Sequence, residues 1–168
     1  MIELNTFKLP SGFRGRSKVY VATWDAVSRL LFKTSPKVAY GWRRFLLRLF
    51  GAQIGRGVLI RPTVTVAYPW KLRIGDHSWI GDYVTLYSLA EINIGKNSII
   101  SQHTYLCTGT HDFKSRSFDI LAYPIEIGDG TWVSYGCFVG PGVTIGDNCF
   151  IQAASKVTKK VPDNEIIK

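Results

Sequence analysis

The chain has 168 residues, 46% hydrophobic and 20% charged, which suits one compact domain with an ordinary core and excludes a long disordered protein. Sixteen Gly and seven Pro lie along it without a three-residue period, so collagen and low-complexity readings fail. The net charge of +9 is uneven: residues 1–50 hold ten Lys+Arg against two acids, and residues 51–168 hold eleven against ten.

In chain order, the first predicted elements are two short amphipathic helices, Asp25 to Phe32 and Ala39 to Phe50, separated by Ser35-Pro36. Their apolar residues fall at helical spacing, and Arg43, Arg44 and Arg48 fall on the other side. Residues 1–50 are read as a basic, partly helical cap segment, because the open end of a repeat array needs covering. A basic amphipathic helix can also lie on an anionic membrane surface, so peripheral membrane contact is a second use of the same residues.

Residues 51–168 carry a repeat. An Ile-Gly dipeptide recurs at 54, 74, 80, 94, 127 and 145, and aliphatic residues fall every six positions. The runs are Ile54, Ile60, Val66; Ile74, Ile80, Leu86; Ile94, Ile100, Leu106; and Ile127, Val133, Val139, Ile145, Ile151, Val157. Four residues after each such position stands a small or β-branched residue, such as Val58, Ser98, Thr131 or Cys149, as filling for a narrow inward corner. This period fits neither an α-helix nor one long strand, but it fits short strands joined by corners and wound into a triangular prism of about five coils. Gly after the aliphatic residue, with Asp or Asn nearby, is read as turn chemistry at positive φ.

The repeat is interrupted once. Leu106 and Ile127 are 21 residues apart where a hexad needs six, so a loop is inserted at about 109–124, bearing His111, Asp112, Lys114, Arg116 and Asp119. The three Cys, at 107, 137 and 149, contain no Cys-x-x-Cys pair and fit neither a disulfide framework nor a zinc site. Cys137 and Cys149 fall on inward small-residue positions, where a thiol acts as a compact hydrophobe. No stretch has the roughly 18 apolar residues of a membrane span, and the N-terminus lacks signal-peptide order, so the expected location is cytoplasmic. The basic charge alone suggests nucleic acid, but no recognisable module supports it, and no nucleic-acid partner is expected.

The hexads, the Thr110-His111 pair in the inserted loop and the closing stretch WVSYGCFVGPGVTIGDNCFIQAASKVTKKVPDN together resemble the hexapeptide-repeat acyltransferases. Within them, YPWKLRIGD at 68–76 and ISQHTYLCTGTHDF at 100–113 are similar to the branch named for colanic acid biosynthesis, near the galactoside and maltose O-acetyltransferases. The resemblance covers about residues 45–164 and implies a mainly β chain, a left-handed parallel β-helix that trimerises and transfers acetyl groups from acetyl-CoA to a saccharide hydroxyl. It implies no metal. A γ-class carbonic anhydrase, built on the same repeat, needs three metal-binding His with one pair five positions apart, whereas His103 and His111 are eight apart. A coenzyme-binding tail of the Gly-x-Pro-Ala-Lys kind would be expected beyond Lys168.

Acyl transfer from a thioester needs a base, an oxyanion donor and two aligned substrates. Of His77, His103 and His111, the resemblance assigns the base to His111; stacking of 20-residue coils would bring Glu91, one coil earlier, beside it as the orienting carboxylate if the loop leaves the coil after His111, with Asp112 or a backbone carbonyl as rivals and a surface corner residue as the other reading of Glu91. For the coenzyme it implies a groove along Trp132 and backbone groups near Ser134, Tyr135, Ala153 and Ala154, with Thr158, Lys159 and Lys160 toward the nucleotide 3′-phosphate. The acceptor-binding Asn and Asp of the galactoside enzymes fall on Gly81 and Leu89 here, so acceptor recognition is not carried over. Asp82, Tyr83 and Tyr87 are the neighbours of the expected acceptor pocket. An acetyl-cysteine intermediate is the alternative chemistry; direct transfer is what the resemblance implies.

Overall fold

A computed structural model of the chain describes residues 2–168. Helix α1 spans Lys18–Val27, with Ser17 as N-cap accepting from the Tyr20 amide at 3.2 Å, and runs into one π turn, Ser28–Phe32. It therefore starts seven residues before the predicted Asp25, on a Ser cap that precedes the apolar stripe. Helix α2, Tyr40–Leu49, lies within a residue of the prediction at each end.

The hexads form three parallel sheets. The first face holds Gln53–Ile54, Leu72–Ile74, Ile92–Ile94, Ile125–Ile127 and Thr144–Ile145. The second holds Leu59–Ile60, Trp79–Ile80, Ile99–Ile100, Trp132–Val133, Phe150–Ile151 and Ile166–Ile167, and the third Thr65–Val66, Thr85–Tyr87, Tyr105–Cys107, Phe138–Val139 and Lys156–Val157. Every aliphatic hexad residue stacks on its counterpart one coil away, as in Ile54↔Ile74↔Ile94↔Ile127↔Ile145. The coils number five, as read from the hexads, and a sixth begins with the Ile145↔Val161 bridge and the Ile166–Ile167 strand.

The corners explain the Ile-Gly dipeptides differently from the prediction. Gly55, Gly75, Gly95, Gly128 and Gly146 are not at positive φ; left-handed backbone falls two residues later, at Gly57, His77, Asn97, Gly130 and Asn148. What these glycines supply is close approach. A Cβ on Gly128 would meet the Gly146 carbonyl carbon at 2.6 Å, and one on Gly75 the Gly95 carbonyl carbon at 2.6 Å. Where Asp follows the glycine it reaches to the neighbouring coil: Asp76, Asp129 and Asp147 accept from the amides of Arg56, Lys96 and Asp129, and Asp163, after Val161-Pro162 at the same place in the sixth coil, accepts from Asp147 N.

The small inward residues likewise do more than fill space. Ser78, Ser98 and Thr131 are fully buried, and each hydroxyl donates to a glycine carbonyl one coil on (Gly95, Gly128 and Gly146, at 2.6–2.7 Å). Each also accepts an amide, from Ser98, Thr131 and Cys149. Polar groups at the dry corner are thereby paired rather than left desolvated, which would cost about 1–3 kcal/mol each.

Along the prism, amides of one coil donate to carbonyls of the next, as in Gly55 N to Ile74 O and Arg61 N to Ile80 O. The carbonyls of the first coil therefore have no preceding amide. Three arginines of α2 supply the donors: Arg48 to Ile54 O (2.6 and 2.9 Å), Arg44 to Val58 O (2.8 Å) and Arg43 to Ile60 O (2.5 Å), while Trp24 Nε1 donates to Val66 O at 2.9 Å. Arg43 is fully buried and also donates to Ser35 Oγ, Pro36 O and Lys37 O; burial pulls its pKa down, and the donor-only guanidinium suits an edge made of acceptors. This corrects the placement of Arg43, Arg44 and Arg48 on the side of the helix opposite its packed apolar residues. Trp24, Phe32, Leu46, Leu47 and Phe50 join the coil residues in one continuous core.

Candidate active site

The inserted segment leaves the third face after Cys107, which is in register with Tyr87. Thr108 pins the departure: its hydroxyl donates to Tyr87 O (2.7 Å) and accepts from the Ala90 amide (2.9 Å), and its carbonyl takes the returning Tyr123 amide (2.9 Å). Between these points Gly109–His111 pairs antiparallel with Ile120–Ala122, His111 opposite Ile120. A Cβ on Gly109 would lie 2.8 Å from Leu89 Cδ1, so the bare glycine leaves room for that side chain where the hairpin departs. The tip is closed by Asp112 N to Asp119 O (2.8 Å) and by the hydroxyls of Ser117 and Ser115, which donate to the Asp119 carboxylate and hold it below the usual carboxylate range.

His111 sits at the end of the first hairpin strand. Its Nδ1 lies 2.8 Å from Phe118 O. A carbonyl only accepts, so Nδ1 carries the hydrogen and the neutral ring keeps its lone pair on Nε2. The Phe118 ring stacks on the imidazole, centroids 4.2 Å apart and planes 6° from parallel, and Phe118 holds this pose with left-handed backbone, φ 52°. Phe7 lies 6.1 Å from the imidazole at 55°. The segment carrying Phe7 is tied to the loop by Glu3 N to Arg116 O (2.8 Å) and by the Arg116–Glu3 ion pair (2.6 Å).

Glu91 is not the orienting group. The predicted stacking assumed that the coil continues to residue 111, but the chain leaves after Thr108, and Ile125 takes the next place, in register with Ile92. Glu91 is consequently an exposed corner residue whose carbonyl accepts from Ile125 and whose charge acts on Lys71; the Phe118 carbonyl holds His111 instead. Sequence reasoning missed Glu3, Phe7 and Phe118, since no periodicity links residues so far apart in the chain; Arg116 stood out only as part of the insertion.

Of the expected coenzyme residues, Trp132, Ser134, Tyr135, Ala153 and Ala154 lie at the second face and the corner beyond it, and the other three follow the third face. Trp132 is exposed on that face, packs on Phe150 (4.9 Å) and donates from Nε1 to Ser101 Oγ (2.8 Å). The backbone groups near it are largely used between coils: Ser134 N donates to Ile151 O, Ser134 O accepts from Thr104, and Ala154 N donates to Tyr135 O. Ala153 is exposed at the following corner, and Thr158, Lys159 and Lys160 are exposed beyond the last third-face strand. A cleft of about 430 Å³ opens on the second face between Arg61, Trp79, Asp82 and Ser101, with Tyr40 at its rim.

Asp82, Tyr83 and Tyr87 do not form one cluster with His111. Burial would raise the Asp82 carboxyl, but hydrogen bonds from Thr63 (2.7 Å) and Arg61 (2.8 Å), with the Arg61 charge, outweigh it and keep the group ionised below the usual range. Tyr83 stacks on His103 (4.9 Å, 19°), and Tyr135 packs on the other side of the same ring at 5.4 Å, so a residue expected for acceptor and one expected for coenzyme share an aromatic column. Tyr87 is the one of the three beside the hairpin, its ring 3.1 Å from where a Cβ on Gly109 would stand.

Cys137 and Cys149 are buried and donate to Gln152 O and Pro162 O, and burial pushes the Cys137 thiol up, away from a reactive thiolate. Cys107 faces outward, half-buried, with Sγ on Gly109 O. Among the described residues no group of three His, Cys, Asp or Glu is placed to hold a metal ion.

Comparison with known proteins bears on the whole arrangement. Residues 124–159 match the family model described as bacterial transferase hexapeptide (six repeats). WcaF of Escherichia coli (strain K12), which bears the name "Putative colanic acid biosynthesis acetyltransferase", is 52% identical over 168 residues, covering all of this chain and 92% of the relative. A galactoside acetyltransferase in complex with coenzyme A superposes with TM-score 0.82 at 25% identity, over 95% of this chain and 78% of that one. The hexapeptide-repeat acetyltransferase VCA0836 of Vibrio cholerae O1 biovar eltor, complexed with acetyl coenzyme A, gives 0.80 at 25% over 89% and 81%. Stacked hexads, a histidine presented on the inserted hairpin and similarity to an acetyltransferase along the whole chain agree, and the chain belongs to the hexapeptide-repeat acetyltransferases.

Proposed function

We propose that the protein transfers the acetyl group of acetyl-CoA to a saccharide hydroxyl, with His111 as general base. The observation that carries this reading is the lock on His111 Nδ1, which leaves Nε2 as the proton acceptor. In the step, the acceptor oxygen attacks the thioester carbonyl carbon while Nε2 takes the hydroxyl proton. The C–S bond then breaks, and the imidazolium returns the proton to the departing thiolate. The name of the E. coli relative supports an acceptor in exopolysaccharide or glycoconjugate assembly, and the coenzyme and free thiols suit the cytoplasm.

The same reading takes the working form as a homotrimer with the donor groove between subunits. Its support is the column of Leu59, Trp79, Ile99, Trp132, Phe150 and Ile166, the outward residues of successive second-face strands, which is apolar for six rungs where the first face presents Gln53, Arg73, Asn93, Glu126 and Thr144. Trp132 would line the pantetheine arm and Lys159 and Lys160 would meet the nucleotide phosphate. The test is release of free CoA from acetyl-CoA with a panel of sugars and glycans. His111→Ala is expected to lose about 10²- to 10⁴-fold in acceptor-dependent rate while coenzyme binding by titration is unchanged. A variant as active as the parent would overturn the assignment.

A further inference from the structure

With its arginines turned inward, α2 presents to solvent a row that the sequence reading did not isolate. Val38, Trp42, Phe45 and Leu49 follow one another along the outer side of the helix and its lead-in, with exposures from 42% at Trp42 to 81% at Val38. Trp42 stacks on Phe45 (5.7 Å), and its Nε1 donates to Leu31 O (3.0 Å), joining the row to the exposed side chains of Leu30 and Leu31 on the π turn. Solvated surfaces of this size are rarely so apolar without a partner.

The charge around the row identifies the partner. Residues 26–50 contain no Asp or Glu. Arg29 on the π turn, Lys33 just after it and Lys37 next to Val38 in the chain are exposed, and among the described residues none of them is in an ion pair; Lys33 makes one hydrogen bond, to Thr65 Oγ1, and the charge of Lys37 acts on Asp82. We propose that this face docks on an anionic lipid bilayer, with the aromatic and aliphatic row entering the headgroup boundary and the three cations meeting lipid phosphates. A second copy of the same face is the poorer match, because an isologous contact would set cations against cations. In the trimeric reading above, on which this clause rests, subunits joined along their second faces would carry three such patches at the same end of the assembly. Three weak anchors would then act together.

The experiment is flotation of the full-length protein with vesicles of phosphatidylcholine alone and of phosphatidylcholine mixed with phosphatidylglycerol, at low and high salt. Binding is expected to the mixed vesicles, to weaken with salt, and to fall at least about tenfold in the Trp42→Ser/Phe45→Ser variant. The side chains replaced lie outside the core, so its coenzyme titration is expected to match the parent, with the melting temperature lowered only by loss of the Trp42–Leu31 hydrogen bond and the Trp42–Phe45 stack. His111→Ala is expected to float like the parent, which separates this proposal from the catalytic one. Absence of flotation with anionic vesicles, equal flotation of the double variant, or a smaller assembly for that variant by light scattering would each overturn it, the last by showing the row to be buried between copies.

Discussion

The helical cap and the hairpin that carries His111 are both single-copy additions to a repeating prism, and they are attached in opposite ways. The cap reaches backbone carbonyls with charged donors and shares the core, so Arg43 alone satisfies four acceptors in a dry site. The hairpin buries none of its strand residues completely and hangs from Thr108 and a few loop bonds, yet it holds the imidazole. Damage to the cap should therefore appear in stability and damage to the hairpin in rate, which is the division expected when a rigid scaffold carries a loop site.

The largest effect should come from Arg43→Met, which strands the Ile60, Pro36 and Lys37 carbonyls. A loss of about 4 kcal/mol is expected in urea unfolding, with normal turnover per folded molecule at low temperature; a loss of turnover without loss of stability would break the comparison. Next is Gly128→Ala, where the added Cβ meets backbone of the next coil, against Gly136→Ala, where φ is +66° and the space is open. Thermal unfolding should show about 3 kcal/mol lost for the first and about 1 kcal/mol for the second, separating close approach from backbone conformation as the reason for glycine.

On the hairpin side, Phe118→Gly keeps the left-handed backbone but removes the ring stacked on His111. About a tenfold fall in kcat, near 1.4 kcal/mol, is expected with little change in Tm; a large Tm change would show the hairpin to be as structural as the cap. The smallest effect is on acid behaviour. The folded pKa of Asp119 is depressed, so its bonds to Ser117 and Ser115 contribute fully above the ordinary Asp value of about 3.9 and are lost as the pH falls through the folded value. Protection of the amides in residues 112–119, taken relative to their intrinsic exchange rate at each pH, should fall across that window. Ser117→Ala should move the carboxylate titration, followed by NMR, back toward the ordinary value.

How much of this was legible in the sequence differs between the same two regions. The hexads gave the prism, its inward residues and the position of the excursion, because every coil repeats the same steric demand. The basic bias of residues 1–50 was visible, but its cause was not: an amphipathic pattern separates apolar from polar residues without saying whether the polar face meets water or a row of unpaired carbonyls. His111 stood out as the histidine of the insertion. Its partner did not, because the Phe118 carbonyl is backbone and carries no residue signature, and the stacking argument for Glu91 failed where the coil was interrupted.

The sequence by itself determined the stack of short strands, the buried hexad positions and the place where the regular winding breaks. These are local or periodic, and each residue type answers to a neighbour at a fixed offset. Only the tertiary structure decided that α2 turns its arginines onto the first coil, that the N-terminal segment reaches the loop through Glu3 and Phe7, and that the Phe118 carbonyl fixes the proton on His111. Those contacts join non-repeating segments, up to 113 residues apart for Arg116 and Glu3, and no spacing rule connects them before the chain has folded.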